Sequence, residues 1–184
     1  YVRRVIERYY WTYQQLQRRE RHLILTNMAT KDILEGRDLE DTYYRLLTYL
    51  TNLYTADYAY LTRLDPSAQE IVLVADTRSP VQPLDALLWE SKEKDLLKSV
   101  LSSRRALSVD NLQQPPHAAQ ITLPRTLTNS LRSAILIPLA TKEYKFGVAL
   151  IAFISHPSFT QEDLELAEQV GNQIALVLWI FQQR

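Results

Sequence analysis

Residues 133–178 decide the fold, and they read SAILIPLATKEYKFGVALIAFISHPSFTQEDLELAEQVGNQIALVL. Two apolar runs, SAILIPLA (133–140) and FGVALIAFIS (146–155), predict the two strongest strands of the chain. The short polar segment TKEYK (141–145) between them is typical of a hairpin connection. The stretch therefore predicts an antiparallel pair of strands.

A final helix follows the hairpin, and local signals mark its start. Thr160 is a good N-cap residue, and Asp163 three positions later completes a capping box. Phe159 can pack against Leu164 as a hydrophobic staple. We predict a helix from Gln161 to the end of the chain. One stripe of this helix should face the sheet: Ala167, Val170, Gly171, Ile174, Leu178 and Phe181.

The first 35 residues predict one long helix with a coiled-coil seam. Apolar and aromatic residues recur there in alternating steps of four and three. The seam residues are Val2, Ile6, Tyr9, Tyr13 and Leu16. Gly36 can end the helix in a left-handed cap. We expect residues 1–36 to form an N-terminal signalling helix and residues 37–184 to form the domain proper, including its C-terminal helix.

The middle of the chain predicts short alternating elements. Asp38 can cap a second helix. Strands are expected near 57–64, 70–76 and 106–109, and helical patterns occupy 84–91 and 92–103. This order of elements predicts an α+β fold in which helices cover an antiparallel sheet. The segment 110–126 contains three prolines and no clear periodicity, so we expect a long loop, which in a compact domain is usually functional or disordered.

Composition narrows the class of protein. The chain has 184 residues, no net charge and no cysteine. A neutral chain carries no overall field that would favour nucleic acid or a membrane surface. The absence of cysteine excludes disulfides and thiolate metal sites, and it is compatible with the cytoplasm, where we expect the protein to lie. No apolar run approaches the length of a membrane span. Because the chain begins with Tyr1, we read it as a piece of a longer signalling protein.

The chain resembles the GAF domain family of small-molecule sensors. The most specific resemblance lies in 133–178, where a strand ending in Ile-Pro-Leu, a hairpin, a strand opening with Phe-Gly-Val and the Phe-Thr-x-Glu-Asp-Leu start of the last helix look like the C-terminal half of the family. The segment DLEDTYYRLLTYLTNLYTADYAYLTRLD (38–65) is similar to the family's opening helix and first strand. Together the resemblance covers about residues 23–181.

This resemblance implies a fold and a role. We expect a central antiparallel sheet of about six strands, with the opening and closing helices on one face and a ligand pocket on the other. Such domains usually sit in sensor histidine kinases of two-component systems, in cyclic-nucleotide enzymes or in transcription regulators. We therefore expect a non-catalytic sensory domain with an output domain downstream in the same chain. A domain of the PAS type is the alternative fold.

The resemblance also bears on cofactors. Family members that bind a bilin covalently use a cysteine, and this chain has none. Cyclic-nucleotide-binding members often carry an Asn-Lys pair, and no asparagine here is followed by lysine, which disfavours a cyclic nucleotide. No histidine has a second ligand at metal-binding spacing, so we propose no metal site. The ligand class stays open at this point.

Several residues are candidates for the pocket. Tyr58 and Tyr60 alternate on one face of a strand, where their rings could stack on a planar ligand, although packing in the core is the commoner role of such tyrosines. The remaining candidates lie in or beside the long loop: Asp110, His117, Arg132 and Ser133. A solvent-exposed loop role is the alternative for them. We find no set of acid, base and nucleophile that would support catalysis.

The terminal helices are candidates for a homodimer interface. The last helix is apolar nearly all round from Ile174 to Phe181, which indicates burial on more than one side. Its candidate interface residues are Leu176, Trp179 and Ile180, and they would join the seam of the first helix. The alternatives are packing inside one chain, contact with an upstream domain, or a juxtamembrane belt of aromatic residues. A pure interaction module without a ligand is the alternative function.

Overall fold

The computed structural model describes residues 2–13, 16, 27, 31, 35–77, 91–114, 121, 130–155 and 158–183. Residues 2–13 are helical and are called the N-terminal helix below. The other helices are α1 (Leu39–Tyr54), α2 (Ser91–Ser103) and α3 (Gln161–Gln182). The strands are β1 (Tyr58–Asp65), β2 (Glu70–Asp76), β3 (Leu107–Val109), β4 (Ser133–Ala140) and β5 (Lys145–Phe153). The helical pattern expected in 84–91 lies outside the described residues except for Ser91.

The described strands form one antiparallel sheet. Their order is β2-β1-β5-β4-β3, which places β5 at the centre. The longest pairing joins β4 to β5, from Ser133 opposite Phe153 to Ala140 opposite Lys145. This confirms the predicted hairpin and the α+β class. The described part of the sheet has five strands, where the family resemblance implied about six.

The sheet is buried on both faces. All eight residues of β4 are buried. Ile135 and Ile137 pack into an apolar cluster with α1 and α3, and this side of the sheet is called the helix face. Ala134 and Leu136 point the opposite way and join a second cluster with α2. We call that side the α2 face.

Two predicted N-caps position the helices of the helix face. The backbone N–H of Asp41 donates to Asp38 Oδ1 at 2.9 Å and fixes the start of α1. At the start of α3, the Asp163 N–H donates to Thr160 Oγ1 at 3.2 Å, and the Thr160 N–H donates to Asp163 Oδ2 at 2.8 Å. These reciprocal bonds confirm the capping box.

The stripe predicted to face the sheet on α3 is buried throughout. Gly171 lets α3 approach β4 closely, because a Cβ there would collide with the carbonyl oxygen of Pro138 and with the Ile137 side chain. The glycine therefore sets how near α3 lies to the sheet. That packing leaves the outer side of α3 available for other contacts.

Candidate ligand face and helix surfaces

The α2 face carries a buried polar pair among apolar side chains. Tyr58 and Tyr60 are both 0% exposed, and their rings meet edge to face with centroids 6.4 Å apart. The Tyr60 hydroxyl donates to Glu93 Oε1 at 3.1 Å, across from β1 to α2. Glu93 is itself buried. Tyr60 belongs to a buried cluster that also contains leucines of α2, β4 and β5, so the pair is a polar contact within largely apolar surroundings.

The surroundings of Tyr60 shift its ionisation. Burial raises the pKa of the Tyr60 hydroxyl well above its ordinary value of 10, and the nearby Glu93 carboxyl raises the pKa further. The hydroxyl therefore stays protonated and remains a hydrogen-bond donor at physiological pH. With its proton donated to Glu93, the hydroxyl oxygen can still accept a hydrogen bond from a polar group of a ligand.

Thr62 shares the alternation of the two tyrosines, but its hydroxyl is used within the sheet. Thr62 Oγ1 donates to the Val148 carbonyl at 2.8 Å and accepts from the Val148 N–H at 3.0 Å. These bonds bridge β1 and β5 where the register between β1 and β2 shifts. Thr62 therefore contributes to strand pairing. Tyr58 and Tyr60 remain the residues of β1 that the sequence predicted to contact a ligand.

The structure places the loop-side candidates at one end of the sheet. Asp110 and Arg132 are exposed, and their segments adjoin because the Leu112 N–H donates to the Arg132 carbonyl at 2.7 Å. Ser133 is buried, and its hydroxyl donates to the Ser155 carbonyl at 3.0 Å. Since Ser133 alternates with Ala134, it lies on the helix side of β4 and is not brought together with the tyrosines. His117 lies outside the described residues.

The end of α2 contacts both the hairpin and α3. Arg104 has a positive φ of 54°, and its guanidinium donates to the carbonyls of Thr141 and Lys142 at 3.2 Å each. The Ala106 N–H donates to Glu168 Oε1 at 2.9 Å, and Arg105 Nε lies 3.3 Å from the same oxygen. The α2 face is therefore connected to α3 around the edge of the sheet. Sequence reasoning missed this connection, since none of these residues has a distinctive local pattern.

The predicted seam of the N-terminal helix is exposed. Every residue from 2 to 13 is exposed, and so is Leu16. The seam side chains expose between 50% and 74% of their surface. A row of exposed apolar and aromatic side chains of this kind is typical of an interaction surface.

The outer side of α3 is partly apolar as predicted. Leu176 and Ile180 are 43% and 40% exposed. Trp179 is less open than expected, because it packs against Tyr144 of the hairpin with ring centroids 6.4 Å apart. Tyr144, Leu176 and Trp179 line a groove of about 320 Å³ together with residues 141–143. Sequence reasoning missed Tyr144, although an aromatic residue within an otherwise polar hairpin was a signal.

Within the described ranges, no cluster of histidine and carboxylate side chains could hold a metal ion. In the same ranges, none of the helices has the length and hydropathy that crossing a membrane requires.

The sheet buried on both faces by helices defines an α+β domain, and comparison with known proteins identifies its family. The family model described as GAF domain matches residues 36–178. The chain therefore belongs to the GAF domain family. GAF domains are generally regulatory domains. No protein with a curated function matches the chain significantly.

Solved structures with the same fold come from several signalling proteins. A GAF domain/HD domain protein from Geobacter sulfurreducens shares 16% identity at a TM-score of 0.58, with 87% of this chain and 99% of that chain covered. The GAF domain of a two-component sensor histidine kinase from Bacillus halodurans shares 16% identity at 0.57, with 79% and 97% covered. Residues 122 to 287 of a methyl-accepting chemotaxis protein share 15% identity at 0.62, with 86% and 97% covered. At these identities the likeness shows the fold.

Proposed function

We propose that the chain is a non-catalytic sensory domain of a signal-transduction protein. It binds a small molecule on the α2 face of the sheet and forms a homodimer through its terminal helices. Membership of the GAF family supports the regulatory role. The sensor kinase and the chemotaxis protein among the structural neighbours support the proposal that this domain belongs to a signalling protein with an output domain.

The proposal that the domain binds a ligand rests on the buried pair of Tyr60 and Glu93. A core formed only for stability gains little from burying a carboxyl group, because removing a charge from water is costly unless partners compensate for it. The pair bridges the sheet and α2, so a ligand that engages it would also move or hold α2. We propose Tyr58, Tyr60 and Glu93 as the floor of the site, with Asp110 and Arg132 as candidates at its rim and His117 kept as a candidate from the sequence.

The signal would leave the domain through α3. The 104–106 turn connects α2 to Glu168 of α3, and α3 leads toward the C-terminal end of the chain. Ligand binding would shift the balance between two arrangements of the terminal helices. We propose that residues 1–36 form the incoming signalling helix and that residues 37–184 form the sensory domain. The proposed cytoplasmic location rests on the absence of cysteine.

The first experiment is native mass spectrometry of freshly isolated protein with an absorbance scan. We expect a dimer mass that carries an additional small-molecule mass. Tyr60→Phe should lose that additional mass, whereas Tyr43→Phe, which removes a phenol hydroxyl on the helix face, should retain it. A dimer that binds the same molecule equally in both variants would refute the site, and a monomer would refute the dimer.

A second function, a pure interaction module without a ligand, is favoured by one observation. Tyr58 and Tyr60 are fully buried and pack against each other, as expected of a filled core. This function predicts a dimer without any bound molecule. It also predicts no thermal stabilisation by small molecules in a screen of metabolites.

A further inference from the structure

The turn between β4 and β5 is held by side chains from two different helices. This segment, residues 141–144, is called the hairpin turn below. Arg104 directly follows α2, and its guanidinium donates to the first two carbonyls of the turn at 3.2 Å each. From α3, the side-chain amide of Asn172 donates to the Ala140 carbonyl at 3.1 Å. Three successive carbonyl groups therefore connect the end of α2 to the middle of α3.

Arg104 reaches the hairpin turn from a strained backbone conformation. The helix α2 ends at Ser103, and Arg104 has a positive φ of 54°. Its N–H donates to the Val100 carbonyl at 3.1 Å, so the residue closes the helix in the left-handed conformation. Glycine is the usual residue there, because a side chain makes that conformation less favourable. The two contacts to the hairpin turn are a contribution that glycine could not make.

The hairpin turn packs against the C-terminal half of α3. The ring centroid of Tyr144 lies 6.2 Å from that of Phe146 and 6.4 Å from that of Trp179. Within the turn, the Thr141 N–H donates to the Tyr144 carbonyl at 2.8 Å, and the Tyr144 N–H donates to Thr141 Oγ1 at 3.0 Å. These bonds make the turn move as one piece. The position of Thr141 therefore sets the position of Tyr144, which lines the groove beside Trp179.

The opposite end of α2 lies at the proposed ligand site. Glu93, in the first turn of α2, accepts from the Tyr60 hydroxyl at 3.1 Å. Helix geometry places Glu93 about 15 Å from Ser103 along the axis of α2. Leu97, between them, is fully buried against the sheet. Because a packed helix moves largely as a rigid element, a displacement at Glu93 reaches the end that carries Arg104.

We propose that Arg104 is a positioning residue that couples the ligand site to the groove beside Trp179. While Tyr60 holds α2, the guanidinium keeps the hairpin turn against α3. When a ligand displaces α2, Arg104 loses its contacts and Tyr144 separates from Trp179. This inference rests on the proposed ligand site. It adds a second connection to α3, since Glu168 acts on the first half of that helix and the hairpin turn acts on the second half.

Acrylamide quenching of Trp179 fluorescence tests the coupling. The reporter protein carries Trp11→Phe and Trp89→Phe, so that Trp179 is its one tryptophan. Tyr60→Phe removes the bond to Glu93 and stands in for a ligand that displaces α2. We expect Tyr60→Phe to raise the quenching constant of Trp179, because the indole loses the cover of the hairpin turn. Circular dichroism of each variant checks that the fold is retained.

A second perturbation leaves the polar pair intact. Leu97→Ala opens a cavity under α2 and loosens the helix from the sheet. It should raise the quenching constant of Trp179 as Tyr60→Phe does. Agreement between the two variants would show that the response follows the position of α2. A response to Tyr60→Phe alone would overturn the inference, because it would then depend on the hydroxyl.

Two substitutions of Arg104 separate positioning from a purely structural role. Arg104→Gly and Arg104→Ala both remove the guanidinium, but glycine relieves the backbone strain that alanine retains, so Arg104→Gly should be the more stable variant. Both should begin with a raised quenching constant, and Tyr60→Phe should raise it no further in either. Arg105→Ala is the matched control. It should keep the full response, since Arg105 pairs with Glu168 rather than with the hairpin turn.

Two results would overturn the role of Arg104. One is a Trp179 that does not respond to Tyr60→Phe in the reporter protein. The other is a response that persists in both Arg104 variants, because the change would then travel through the sheet or through Glu168.

Failure of the proposed function gives a different pattern. A bound molecule that is lost in Tyr60→Phe, together with an unresponsive Trp179, refutes the role of Arg104 and leaves the ligand site standing. A responsive Trp179 in a protein that binds no small molecule supports the coupling between α2 and the groove and refutes the ligand site.

Discussion

The helix face and the α2 face are built by the same strands, yet they differ in chemistry. Under α1 and α3 the buried side chains are almost all apolar, and a glycine brings α3 against β4. Under α2 a phenol hydroxyl and a carboxyl group are buried together at 3.1 Å. The comparison indicates that apolar packing dominates the helix face, whereas the α2 face buries a hydrogen-bonded polar pair within its apolar cluster.

The largest expected effect tests the packing of the helix face. Gly171→Val should destabilise the domain by about 3 kcal/mol, because the new side chain would collide with the Pro138 carbonyl and the backbone there cannot move freely. Thermal or denaturant unfolding measures the loss. A stability close to that of the parent would show that α3 can move away from β4 without cost.

Gly171→Ala and Gly36→Ala serve as controls for that prediction. Helix propensity alone favours alanine over glycine by about 1 kcal/mol, so a loss of stability in Gly171→Ala would isolate the collision. Gly36 has a φ of +69° and open space where a Cβ would lie. Gly36→Ala should therefore cost only about 1 kcal/mol, through backbone strain in the left-handed conformation.

The next effect tests the polar pair of the α2 face. Tyr60→Phe should destabilise the domain by about 2 kcal/mol, because the buried Glu93 carboxyl loses a hydrogen-bond donor. Glu93→Leu in the Tyr60→Phe background should cost less than Glu93→Leu alone. The coupling in this double-mutant cycle is the measured quantity. Additive losses would mean that the two groups do not stabilise each other.

Alkaline pH should weaken the α2 face first. Burial and the Glu93 carboxyl raise the pKa of Tyr60 well above 10 in the folded protein, while the unfolded chain ionises near 10. Stability is therefore complete below about pH 10 and falls as the pH rises toward the folded pKa, by about 1.4 kcal/mol per pH unit for this group. Denaturant midpoints between pH 9 and 11 measure the slope.

Tyr43 provides the comparison on the helix face. Burial also raises the pKa of Tyr43, but the charge of Arg63 opposes the shift. Tyr60→Phe should therefore reduce the alkaline loss of stability more than Tyr43→Phe does. Equal slopes in the two variants would show that the folded-state pKa of Tyr60 is raised no further than that of Tyr43.

The sequence predicted the features that depend on neighbouring residues. The capping box at Thr160, the cap at Asp38, the hairpin after Ala140 and the buried stripe of α3 are all confirmed, because each follows from local spacing. The bounds of β2 are those expected, and β1 begins one residue later than expected.

The sequence did not predict which polar residues the tertiary structure buries. Glu93 lies in a charged stretch that reads as a solvated helix, and only the approach of α2 to β1 shows that it is buried. Ser133 is the opposite case: the sequence made it a pocket candidate, but the structure places its side chain on the helix side of β4. That side depends on the strand register. A fully buried strand such as β4 has no alternation from which its faces can be assigned.

The smallest expected effect concerns the connection between the two faces. Glu168→Ala removes the acceptor of the Ala106 N–H and the partner of Arg105, so the domain should lose about 1 kcal/mol. Arg105→Ala removes only an exposed ion pair and should cost less than about 0.5 kcal/mol. The difference between the two variants measures the bond to the backbone.

Glu168→Ala also tests whether the 104–106 turn transmits a change from the α2 face to the helix face. Leu97→Ala loosens α2 without touching the helix face, since Leu97 is fully buried on the α2 side. Hydrogen exchange in the first half of α3 should then increase in the parent background and stay unchanged in the Glu168→Ala background. This result requires that Glu168 holds α3 to the end of α2. If exchange in α3 rises equally in both backgrounds, the two faces are coupled through the sheet itself, and the 104–106 turn has no special part in the signal.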